Sequence, residues 1–243
     1  SMVGLFLLEL NEIPYCYSHS YLQGVKEMRP SPVTPLLESY RIEVISKFAP
    51  KFEIKWKSES FWMKALGWLS FWNPSFMKSV ITTLGDSIYV PDNWLDRDEL
   101  SNVSIVAHEA VHVQDAKKNP LMGFLYLIPQ VLFPILAVGL AFVSPWFLFV
   151  ALLGALPLPA PFRFYYELRG YRMNLLIFEK VYGWAKTSQP YQASKQFYVS
   201  QMTEKWYFFA MPFKGYVTKK FDETGWESEE IYQKTLSFLK THV

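Results

Sequence analysis

The chain has 243 residues, which suits one domain and is long enough to bury a substantial core. Apolar residues make up 51% of it and charged residues 19%, which excludes a disordered chain; a net charge of +2 without any basic block leaves no footprint for nucleic-acid binding. Cys16 is the one cysteine, so an intramolecular disulfide and a four-cysteine zinc knot are both excluded.

The N-terminal run "VGLFLLELNEIPY" is short, follows no basic residue and is broken by Glu9. A cleaved signal peptide is therefore not expected, and a cytoplasmic or membrane-associated location is. Residues 34–48, "TPLLESYRIEVISKF", carry helical spacing behind a Thr-Pro start. "KFEIKWK" (51–57) alternates like a half-buried strand. The aromatic stretch 60–76 reads either as a helix or as a surface flap, and residues 77–94 as two short strands around Leu84-Gly85-Asp86. The next segment, 96–118, predicts a helix that starts at Ser101 or Asn102, or earlier among the acids of 96–99. It ends with Lys117 and Lys118 ahead of Asn119-Pro120.

From Asn119 to Phe162 there is no charged residue. This segment reads as a hydrophobic hairpin inserted into a single domain of residues 1–243. Residues 121–143 are long enough to span a bilayer and 146–160 are short for it. The alternative is a greasy insertion that packs on the protein or dips into a membrane surface, since Pro129, Pro134, Pro157, Pro159 and Pro161 interrupt it. Further helices are predicted over 163–187, near 191–210 and over 227–242. A small sheet followed by mostly helical sequence makes the class α+β.

The chemistry sits in "IVAHEAVHVQD" (105–115). On a helix, His108 and His112 project from one face about 6 Å apart along the axis, so both imidazoles can reach one Zn²⁺ at about 2.0–2.1 Å. Glu109, roughly a quarter-turn away, can take a proton from an attacking water without being a ligand. The competing reading is two ordinary core or surface histidines. A catalytic zinc needs a third protein ligand. Asp115 lies a turn too far along the helix, and His19 and His242 stand near the termini without a supporting motif. Glu167 in "YYELRGYRMN" is the first choice and Glu179 the second; a surface pairing of Glu167 with Arg163 or Arg172 is the plain alternative.

HEAVH followed some fifty residues later by Glu-x-x-Gly-Tyr resembles the gluzincin branch of zinc metallopeptidases. In particular it is similar to small metallopeptidases of bacteriophage and bacterial genomes whose zinc helix reads HE-x-x-H-V-x-Q. The resemblance covers about residues 78–180. It implies a zincin-like fold with an active-site helix, a glutamate helix and a sheet edge that pairs with extended peptide substrate. It implies zinc held by His108, His112 and Glu167, with Glu109 as catalytic acid/base and Gly170 as a small residue that lets the two helices approach. Ile88, Tyr89 and Val90 would then bind substrate, and Tyr171 or Arg172 would stabilise the oxyanion. Two positions depart from the pattern: Asp115 stands beside Gln114 where glutamine is expected, and Tyr171 replaces an aspartate. Tyr171, Asn174 and Asp115 all remain candidates for orienting a ligand histidine. Two apolar runs between the histidines and the glutamate also resemble membrane-embedded peptidases of the HtpX type, with Lys117, Lys118 and Arg163 on the cytoplasmic side. The expected activity is zinc-dependent hydrolysis of a peptide or protein. The alternative from another class is a non-catalytic zinc-containing protein of a virion or membrane.

Overall fold

The computed structural model describes residues 6–9, 30–69, 76–128, 132–147, 149, 159–204 and 210–243. Its class is α+β, with four strands in one mixed sheet: β1 (Phe6–Glu9), β2 (Glu53–Trp56), β3 (Val80–Leu84) and β4 (Ser87–Val90). The sheet order is β1-β3-β4-β2. The β3–β4 hairpin turns at Gly85, whose φ of +66° is left-handed and suits a residue without Cβ. In β2 the predicted alternation holds: Ile54 and Trp56 are buried, while Glu53 and Lys55 face out. Val80, Ile81, Thr82 and Thr83 are all buried, as a strand covered on both faces requires.

One expectation fails here. β4 is hydrogen-bonded to β3 on one side, antiparallel, and to β2 on the other, parallel. Ile88, Tyr89 and Val90 therefore lie inside the sheet, and their backbone groups are already paired with neighbouring strands. They do not form a free edge for substrate; among the described residues the edges are β1 and β2.

Among the helices, α1 (Pro35–Glu43) precedes β2, and α2 (Phe61–Leu69) resolves the first part of the aromatic stretch as a helix. Residues 70–75 lie outside the described residues. The central element is α3 (Glu99–Lys118). It starts among the acids: the Asp98 side chain caps it by accepting from the Ser101 N–H at 2.8 Å, and Lys117 and Lys118 occupy its last turn. Residues 102–115 of α3 are buried all round. The same is true of most of α6 (Pro161–Lys180), so these two helices form the inside of the molecule.

Between them, the described residues of the uncharged segment include the short helices α4 (Met122–Leu127) and α5 (Leu132–Leu140). Among the described residues no helix is long and apolar enough to cross a membrane. Residues 148 and 150–158 of the second apolar run lie outside the described residues. The C-terminal part comprises α7 (Gln189–Thr203), α8 (Lys214–Asp222) and α9 (Glu230–His242). α8 is not anticipated by the sequence pattern.

Buried and half-buried ions tie this frame together. Arg169 on α6 donates to Asp115 of α3 at 2.8 Å and to Glu229, the N-cap residue of α9, at 2.5 and 2.8 Å. Tyr40 of α1 and Thr235 of α9 share a buried hydrogen bond of 2.8 Å.

Candidate metal centre

His108 and His112 project from one face of α3, as a spacing of four dictates. Their Nε2 atoms are 3.0 Å apart. Glu167 of α6 brings Oε2 to 3.7 Å from His108 Nε2 and 3.9 Å from His112 Nε2. Four ligands in a tetrahedral array at about 2.0–2.1 Å from an ion stand about 3.3 Å apart. The observed separations bracket that value. All three side chains are buried, and their ligand atoms lie within 4.8 Å of one another. Glu167 Oε2 has no hydrogen-bond partner, an arrangement that is costly for a buried carboxylate oxygen unless a cation completes it. The group can hold a metal ion.

Gly170 makes the approach of the two helices possible. A Cβ there would come within 2.5 Å of Cε1 and Nε2 of His108, so a side chain at this position and the imidazole cannot occupy the same space.

Protonation states suit ligation. Burial drives the His112 pKa down to about 3, leaving a neutral imidazole with a lone pair to offer. Burial pushes Glu167 up, but the adjacent imidazoles and a hydrogen bond from Tyr126 outweigh it, so the carboxylate sits below its ordinary range.

Glu109 stands apart from the ligand set. Its Oε2 accepts from the Thr83 hydroxyl on β3 at 2.5 Å, and its Oε1 is buried without a hydrogen-bond partner. Burial raises its pKa to about 7, against the pull of His108 and Thr83. A carboxyl balanced near neutrality, with one oxygen anchored and the other open, can take up and return a proton.

The other candidates separate clearly. Glu179 pairs with Lys180 and Lys186 near the surface, three turns beyond Glu167 on α6, and is not part of the centre. His242 contacts Phe238 and Glu43, away from α3. His19 and Cys16 lie outside the described residues. The surface pairing of Glu167 with an arginine is not found: Arg163 donates to the Tyr126 carbonyl, and Arg172 to the Lys220 carbonyl and to Glu223. Asp115 is engaged by Arg169, and Asn174 lies 3.4 Å from both Ser104 Oγ and the Tyr198 hydroxyl, so neither orients a ligand histidine. Tyr171 does so by packing: its ring meets His108 edge-on at 4.8 Å and stacks on Tyr198 at 4.3 Å.

Two contributors are not legible in the motif. Tyr126 of α4 donates to Glu167 Oε1 at 2.7 Å and fixes the carboxylate's orientation. Thr83 holds Glu109. The one available signal for Tyr126 is a phenol in an uncharged run, which needs a polar partner once buried.

Comparison of the chain with protein-family models, curated proteins and solved structures finds no match.

Proposed function

We propose that the protein is a zinc-dependent peptidase of the gluzincin type. His108, His112 and Glu167 hold the ion, and Glu109 acts as the general acid/base. The supporting observation is the division of labour among buried carboxylates. Glu167 converges with the two imidazoles, while Glu109, one residue from His108, stays out of the ligand set and is tethered by Thr83. A site that only held an ion would have no use for the second carboxylate.

When bound, zinc supplies Lewis-acid activation of a water and of the substrate carbonyl. Glu109 Oε1 accepts the proton lost by the attacking water and returns it to the leaving amine. Thr83 keeps Oε2 occupied, so that Oε1 is the oxygen presented. Tyr126 and the Tyr171 ring hold Glu167 and His108 in register. Tyr171 remains the proposed oxyanion donor.

A second reading, a metal-containing structural protein of a membrane or virion, is favoured by one observation: His108, Glu109, His112 and Glu167 are 0–1% exposed. Elemental analysis of the purified chain, combined with cleavage of a fluorogenic peptide library, separates the two. The peptidase predicts one zinc per chain, lost in Glu167→Ala but kept in Glu179→Ala. It also predicts that Glu109→Gln keeps the metal while hydrolysis falls by about 10²–10⁴-fold. Metal without any cleavage selects the structural reading, and absence of metal from the wild type removes both.

A further inference from the structure

Beyond its first helix, the uncharged segment leaves most of its described apolar side chains outside. Leu136, Val138, Leu140, Phe142, Val143 and Trp146 are 46–93% exposed. Such a concentration on a chain surface marks an interaction site. We infer that this face docks on the interfacial region of a phospholipid bilayer.

Three observations select lipid over a protein partner. Leu136 and Val138 lie about 200° apart around α5, flanking the buried Ala137, so exposed apolar side chains spread over a broad part of the helix; a bilayer surface accepts so broad a face, whereas a protein groove accepts one stripe. No charged residue occurs between 119 and 162, so the segment itself contributes none of the charged residues that border protein interfaces. After α5, Trp146 and Phe149 pack as a tilted pair with centroids 5.3 Å apart close in sequence to Ser144 and Pro145, a combination suited to the headgroup boundary. Depth follows from length. The nine residues of α5 rise about 13 Å, less than half of the roughly 30 Å hydrocarbon core, so this helix inserts shallowly and does not cross. Its backbone groups are paired within the helix, which a nonpolar medium requires. Of the cations that flank the segment, Arg163 is buried and Lys117 pairs with Asp86 at 3.0 Å, while Lys118 is exposed at the end of α3 and is the one open to a headgroup phosphate.

The test is flotation of the full chain with phosphatidylcholine vesicles, with and without phosphatidylserine. It is run beside a Phe142→Asp/Trp146→Asp double variant, whose folding is checked by circular dichroism and metal content. Wild type is expected to float with both vesicle types and to resist release by high salt, because the attraction is mainly apolar. The double variant should partition at least about tenfold less. Three results would overturn the inference: wild type staying with the soluble fraction, equal flotation of the two proteins, or self-association of wild type that the variant relieves without any flotation. The outcome does not depend on whether the centre binds metal.

Discussion

The α3–α6 interface and the uncharged segment between those helices invert each other. In the first, two histidines, two glutamates, an aspartate and an arginine are taken out of water; in the second, phenylalanine, valine and tryptophan are left in it. Both arrangements cost free energy, the first through desolvation and the second through ordered hydration. Within α3–α6 the cost is offset inside the chain, by Arg169 for Asp115, by Thr83 for Glu109 and by Tyr126 for Glu167. On the segment the Trp146–Phe149 pair offsets only a small part of it, which is why a partner of apolar chemistry is sought there and an ion is sought in the interior.

The contrast predicts that the interior is brittle and the segment tolerant. The largest effect on folding is expected from Arg169→Ala, which leaves Asp115 buried and uncompensated. Denaturant titration should show a loss of about 3–5 kcal/mol.

Lys57 comes next. It is buried, its Nζ donates to the Phe76 carbonyl at 2.8 Å, and burial lowers its pKa from 10.5 to about 7. Between those two values the unfolded chain carries a proton that the folded chain gives up. Stability is therefore full above pH 10.5, falls as pH drops towards 7, and is level below that. The slope is at most about 1.4 kcal/mol per pH unit, the limit for a single proton, and contact of the ammonium with the Phe76 carbonyl and ring narrows the window rather than widening it. Unfolding measured at pH 7.5 and 9 should show wild type gaining stability with pH, while Lys57→Met gains less.

Gly170→Ala should cost about 1–3 kcal/mol and lower metal retention, because the new methyl and the His108 ring compete for one space. Phe142→Asp should change folding stability by no more than about 0.5 kcal/mol, the smallest effect of the four. A large loss there would mean that the segment is packed rather than presented.

The sequence already carries the centre, because a spacing of four fixes the relation of His108 to His112 and because Glu167 follows closely on the return of charge after 44 neutral residues. Helix α3 is likewise marked at both ends by Asp98 and the Lys117-Lys118 pair. Other features have no such signature. The interior position of β4 depends on β2, some thirty residues upstream, and strand order leaves no periodic trace. Lys57 continues an apparent polar–apolar alternation yet turns inward, because the chain leaves β2 at Trp56 and enters a 3₁₀ turn. The N-terminal strand β1 reads only as a short greasy run, and α8, a nine-residue helix rich in lysine, has too weak a pattern to stand out.

The Tyr126–Glu167 hydrogen bond links the two regions mechanically. Tyr126 belongs to the uncharged segment, while the carboxylate it grips belongs to the interior. α4 cannot be pulled away from α6 without releasing one oxygen of Glu167, and an altered Glu167 cannot leave the seat of α4 undisturbed. The insertion supplies a hydrogen-bond donor to the side-chain cluster that it interrupts in the chain.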